Sequence, residues 1–226
     1  MALRLYPFRQ YSDHDVVNLF ASQVVDDSPS TNGNGSAGVM VKVISGNMNK
    51  DTFDLIGSTY LGKTDYPWVG ADKYPVVPLR VGAATTGSAV LGVTLNQTLK
   101  NDENGEKLLY NPVKKDELQA VLSGQAVPVA TKGLFTFDEN AYDKSATFIP
   151  GNIAVISSST NGKMAGVARE SFADLASTIV GHILGTGNRT SQMGKSDEFA
   201  GTGTAQYALV QLDCYASWKE PMSKSN

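Results

Sequence analysis

The sequence predicts a mainly β fold: a small β-barrel or sandwich with an extended N-terminal arm and few short helices. Three observations lead there. Short β-branched segments alternate with glycine turns from residue 79 onward. Two Asn-Gly dipeptides, Asn104-Gly105 and Asn161-Gly162, sit where tight hairpins turn. Helical periodicity is scarce, confined to Lys114–Leu122 and Ser171–Ile179, and the second of these reads equally as strand.

Taken in order, residues 1–25 form an arm in which cationic and aromatic side chains interleave around Pro7. Pro7 and the polar spacers prevent a continuous helical stripe. Two readings stay open: an edge strand packed on the chain's own core, or an arm docking on a neighbour. Aromatic and Arg side chains are enriched at protein contacts, so the candidate partner-binding residues are Leu5, Tyr6, Phe8, Arg9, Tyr11 and Phe20. Residues 26–38, DDSPSTNGNGSAG, read as an exposed, flexible loop. Residues 39–81 read as an irregular β segment or insertion. It opens with the strand Val39–Ile44, and Tyr60, Tyr66, Trp68 and Tyr74 follow among prolines and glycines.

Residues 82–215 carry the barrel-like core. Its strands are Ala89–Leu95, Ala126–Thr131, Leu134–Phe137, Asn152–Ser157, Val180–Gly185 and Ala205–Leu212. Alternation in Tyr207–Leu212 is imperfect and assigns no inner face. Residues 216–226 are a C-terminal tail.

Composition narrows the function. Charged residues make up 18%, against a usual share of about 25%, which suits a surface of neutral polar groups covered by other protein. The net charge is -3 with no basic run, so no nucleic-acid partner is expected. No apolar stretch has the length of a membrane span, and the N-terminus lacks the apolar core of a signal peptide. A single cysteine, Cys214, excludes an internal disulfide and fits assembly in a reducing compartment.

Catalytic chemistry finds little support, and the chain is expected not to be an enzyme. Only His14 and His182 are present. A relay of His182, Asp174 and Ser171 has no nucleophile-elbow pattern behind it. Asp13-His14-Asp15 matches no zinc or calcium spacing and reads as a turn, capped by Asp13 or Asp15. The acid pairs Asp102-Glu103 and Asp138-Glu139 fall in loops with nothing to place them across a cleft. The glycine-rich stretches lack the Lys-Ser/Thr or strand–helix context of a phosphate cradle. Cys214 reads as a small buried hydrophobe. No cofactor and no metal are expected.

A resemblance joins these segments. Gly87–Val93, Leu122–Ala130, Lys132–Phe137, Pro150–Val155 and Val180–Gly185 together resemble the small β-barrel capsid decoration, or cement, proteins of tailed bacteriophages. The opening Tyr6-Pro7-Phe8-Arg9 to Asp15–Phe20 is similar to structural proteins of the large contractile-tailed phages of marine cyanobacteria. The barrel pattern covers a little under half of the chain. The resemblance implies a non-enzymatic virion protein on the outer capsid surface, assembled in the host cytoplasm. It implies a homo-oligomer, as in the trimers many relatives form, that locks the major capsid protein lattice with its N-terminal arm. Residues 39–81 and 96–118 depart from the compact family pattern. The alternatives are another virion component (tail, head-completion or baseplate) and a carbohydrate-binding β module presenting Tyr60, Tyr66, Trp68 and Tyr74.

Overall fold

A computed structural model describes residues 4–21, 25, 34–46, 79–102, 104–122, 125–143, 147–168, 179–187 and 207–214. In chain order the strands begin with β1 (Leu5–Gln10), β2 (Val16–Ala21), β3 (Asn34–Gly35), β4 (Met40–Gly46) and β5 (Leu79–Ala83). Then come β6 (Gly92–Thr94), β7 (Gln97–Leu99), helix α1 (Pro112–Glu117), β8 (Ala120–Val121), β9 (Ala126–Ala130) and β10 (Lys132–Asp138). The last are β11 (Ile153–Ile156), β12 (Met164–Val167), β13 (Ile179–Gly187) and β14 (Tyr207–Asp213).

The described residues form three sheets. A closed barrel runs β2-β5-β4-β6-β9, a 6-stranded sheet runs β1-β10-β14-β13-β11-β12, and a 3-stranded sheet runs β3-β7-β8. The barrel is antiparallel except where β2 meets β5. The mainly β class, with a small barrel and few short helices, is therefore what the chain adopts.

Its boundaries differ from those expected. The barrel draws on residues 16–130, and the large sheet on 5–10 and 132–213, so no division falls at residue 82. Residues 5–21 are not a detached arm: β1 pairs with β10 and β2 closes the barrel against β9. The end of the expected loop, Asn34–Gly38, is built in as well. Gly35 and Gly38 are buried, and β3 pairs with β7. Within 39–81, β4 and β5 are antiparallel partners in the barrel. Residues 26–33, 47–78 and 216–226, with Tyr60, Tyr66, Trp68 and Tyr74, lie outside the described residues.

Several barrel positions are buried on both faces of their strand, and β6 is buried throughout. Val41 and Val129 turn into a barrel core with Leu19, Ala21, Val81 and Val127, while their neighbours Met40 and Ala130 join the core beneath the large sheet. A strand buried on both faces reads as a continuous apolar run rather than an alternating one. In the large sheet β12 and β14 alternate, whereas β11 is buried throughout. In β14, Ala208, Val210 and Leu212 are buried while Gln211 is exposed, which settles the face the sequence left open. Barrel and sheet are tied by the hairpin between β11 and β12. Its Asn161-Gly162 turn gives the Gly162 carbonyl to Met40 N (3.0 Å), and its N–H goes to the Ala84 carbonyl (2.8 Å). The positive φ that this turn needs, 73°, suits Gly162.

The segment expected as an insertion at 96–118 contributes β7 to the small third sheet, and its Leu99 and Leu108 share a cluster with Ala120 and Leu122 just beyond it. Helix α1 begins earlier and ends sooner than the expected Lys114–Leu122. Asn111 caps it by accepting from Lys114 N (3.3 Å), with Pro112 at the first helical position. It stops as Gln119 turns left-handed at φ 48°.

Candidate docking surface

The surface around β1 is built where two strands leave the barrel together. β2 and β9 are barrel partners, and their continuations β1 and β10 pair in the large sheet. The crossing is pinned at Asp15, whose carbonyl accepts both the N–H (2.8 Å) and the hydroxyl (2.9 Å) of Thr131. Asp13–Asp15 is a single 3-10 turn, and Ser12 caps it through His14 N rather than either aspartate. An aspartate inside a turn cannot also precede it, which is why the expected cap moves one residue back.

The six candidate contact residues divide by burial. Leu5 turns inward, 4% exposed, into the main core. Tyr6 is half-buried and donates to Asp138 Oδ2 (2.8 Å). Phe8 stands 52% exposed and Tyr11 39%. The ring of Tyr11 lies over the buried Phe135 with centroids 5.6 Å apart and nearly parallel planes. The half-buried Arg9 donates from Nε to the Tyr6 carbonyl (3.3 Å) and from Nη1 to the Leu95 carbonyl (3.5 Å). Phe20 is remote from this group in register: it is a half-buried barrel residue opposite Arg80 and Ala126. The structure thus brings Phe8, Arg9 and Tyr11 to one edge and assigns Leu5 and Tyr6 to anchoring it.

Other residues singled out by sequence take structural places. Asp102 clasps the Asn104-Gly105 turn, its Oδ1 accepting from Asn104 N (2.9 Å) and Glu106 N (2.8 Å). Asp138 caps the short turn Glu139–Ala141. Its charge, after burial itself, pushes the hydroxyl of Tyr142 above the usual tyrosine range. His182 lies in β13 as expected but is exposed, and Ser171 and Asp174 lie outside the described residues. Cys214 is fully buried, its Sγ 3.8 Å from the Val180 carbonyl. Burial, then the charge of Asp213, raises this thiol to about 12, far from a reactive thiolate. Among the described residues no group of His, Cys, Asp and Glu has a metal-holding arrangement, and no helix is long and apolar enough to cross a membrane.

Sequence reasoning missed two features. Asp143 Oδ2 accepts the hydroxyls of Ser157 and Ser159 (2.7 Å for Ser159), while Ser157 Oγ accepts the N–H groups of Ser159 (3.0 Å) and Thr160 (3.1 Å). These bonds hold the β11–β12 turn; the serine run is visible in the sequence, its partner is not. Tyr110 and Val113 also stand 76% exposed at the start of α1, without any periodic signal to mark them.

No family model, curated protein or solved structure matches this chain.

Proposed function

We propose that the chain is a structural docking protein of a phage virion that binds the major capsid protein lattice on the outer head surface through β1. One observation carries the docking part. An aromatic pair with a cation between them, Phe8, Arg9 and Tyr11, is presented on a strand anchored by Leu5, Tyr6 and the stacked Phe135. Rigid aromatic side chains that keep exposed surface on a fixed scaffold lose little conformational entropy on binding, which is what makes them effective contact anchors. The phage-head setting and the homo-oligomeric state rest on the sequence resemblance alone. In a lattice, many weak copies of one contact add by multivalency, so a surface of this modest size suffices.

The test is co-sedimentation with purified heads that lack the protein. Phe8→Ala/Tyr11→Ala is expected to lower head binding about tenfold, the loss of roughly 1.4 kcal/mol of contact, with the chain still folded and its unfolding midpoint lowered only by the lost stack of Tyr11 on Phe135. A double variant that decorates heads like the parent chain would overturn the reading. Binding to tails in place of heads would move the protein to another virion component, and binding on a glycan array would favour the carbohydrate module.

A further inference from the structure

An asparagine followed by glycine carries a reaction of its own. The glycine nitrogen, which no Cβ shields, attacks the asparagine side-chain carbonyl and closes a succinimide ring. In a folded chain this requires the glycine's peptide unit to swing toward the side chain. Asn34-Gly35, Asn104-Gly105 and Asn161-Gly162 are the pairs of this kind among the described residues. Asn32-Gly33 lies outside them.

The fold holds these pairs very differently. Gly162 is clamped across the seam between sheet and barrel: its N–H goes to the Ala84 carbonyl (2.8 Å) and its carbonyl accepts from Met40 N (3.0 Å). Gly162 is buried even though Asn161 is exposed, so swinging this peptide parts two buried bonds. Gly35 is buried as well, and a Cβ there would collide with Thr98 and the backbone of Val25. Asn104 and Gly105 are both exposed, and a Cβ on Gly105 would meet nothing within 4 Å. Gly105 N donates inside its own turn, to the Asp102 carbonyl (3.2 Å). A local bond of this kind opens with the turn and asks nothing of the core. The nitrogens on either side are the pinned ones, since Asp102 Oδ1 accepts from Asn104 N (2.9 Å) and Glu106 N (2.8 Å).

We propose that Asn104 is a site of self-modification, converting in the folded chain to aspartate and isoaspartate, while the seam at Gly162 preserves Asn161. The Gly105 nitrogen bonds to Asn104 Cγ as its proton passes to solvent. The Cγ–Nδ2 bond then breaks, and the amide nitrogen takes a proton and leaves as ammonia. Water opens the ring at either carbonyl. One opening gives aspartate. The other routes the main chain through the side-chain carbon, which lengthens the backbone between the two nitrogens that Asp102 clasps. Both products add a negative charge to a turn that already holds Asp102 and Glu106. No oxidant, metal or partner takes part, and nothing here depends on the docking reading.

The test is ageing of the unmodified full chain in mildly alkaline buffer, followed by peptide mapping with mass spectrometry and isoaspartate detection. In the folded chain Asn104 is expected to convert about tenfold faster than Asn161 or more, a difference of roughly 1.4 kcal/mol in barrier. In denaturant, where neither seam nor turn persists, the two rates are expected to converge. Asn161 converting as fast as Asn104 in the folded chain would overturn the inference. So would an Asn104 that stays amidated in the folded chain while it converts in denaturant. A gap equally wide in denaturant would overturn it too, because the gap would then come from neighbouring residue types and not from the fold.

Discussion

The barrel and the large sheet bury their interiors with different side chains. Inside the barrel the cluster is Leu19, Ala21, Val25, Val39, Val41, Val81, Val121, Val127 and Val129, which among the described residues includes no aromatic ring and no titratable group. Beneath the sheet lie Phe135, Phe137, Tyr142, Phe148, Met40, Met164 and Cys214. The narrow bore of a small closed barrel is filled by short β-branched groups from every strand. An open sheet must span the gap to the barrel's outer wall, and long rings do that: Tyr142 stacks on Phe148 with centroids 4.1 Å apart. The difference teaches that the barrel's cohesion is spread over many small equal contributions, whereas the sheet's is concentrated in a few large ones.

That contrast is open to a direct test. Phe135→Ala removes a fully buried ring that stacks on Tyr11 and tilts against Phe137. It is expected to cost about 3–5 kcal/mol. Val129→Ala, equally buried in the barrel, is expected to cost about 2 kcal/mol, two carbons and a small void. Denaturant titration of both variants measures the pair. Equal losses would break the comparison. Because Phe135 also supports Tyr11, its variant should weaken the proposed head binding as well, while Val129→Ala should not.

Alkaline pH separates the two regions by a second route. Among the described residues the two buried titratable groups with raised values, Cys214 at about 12 and Tyr142, both sit in the sheet's core. Each is held neutral in the folded chain, so the unfolded chain loses its proton first and binds fewer protons over the intervening range. Stability is then fully present below the unfolded thiol value of about 9 and falls as pH rises toward 12. At pH 10 the thiol alone should cost on the order of 1 kcal/mol. Hydrogen exchange across this range should show β14 amides losing protection before those of β9. Cys214→Ala should flatten the slope, and an unchanged slope would remove Cys214 as its cause.

How much of this was legible in the sequence follows the same division. The β-branched runs at 39–44 and 126–131 and the short apolar run at 207–212 announce strands, because such residues bounded by turn residues suit a pleated backbone. Long-range pairing leaves no such trace. Nothing in Val16–Ala21 says that it closes a barrel against Ala126–Ala130, so an opening segment with Pro7 and exposed rings reads as an arm. β3 and β8, two residues each, are too short for any period to register. At the candidate site the residue types were visible, but their burial was not. Leu5 looks like a contact residue until its register opposite Phe137 turns it inward. Arg9 gives no sequence hint that its guanidinium binds two carbonyls.

The smallest expected effect lies outside both regions, in the sheet that carries α1. Gln119 holds φ at 48°, the only positive value at a non-glycine position among the described residues. It is the residue after the Leu118 cap, where a left-handed conformation lets the helix end and β8 begin. A side chain there costs about 1 kcal/mol through the crowding of Cβ against the following carbonyl. Gln119→Gly relieves this but also loosens the unfolded chain, so a net gain of roughly 0.5 kcal/mol is expected. Thermal unfolding measures it, with Leu118→Gly, at a cap already right-handed, as the control that should only lose stability. The gain should also leave Phe135→Ala unchanged in cost, since the two sites share no partner and distant effects add. A coupling between them would mean that the small sheet and the large one unfold as one unit with the barrel between them.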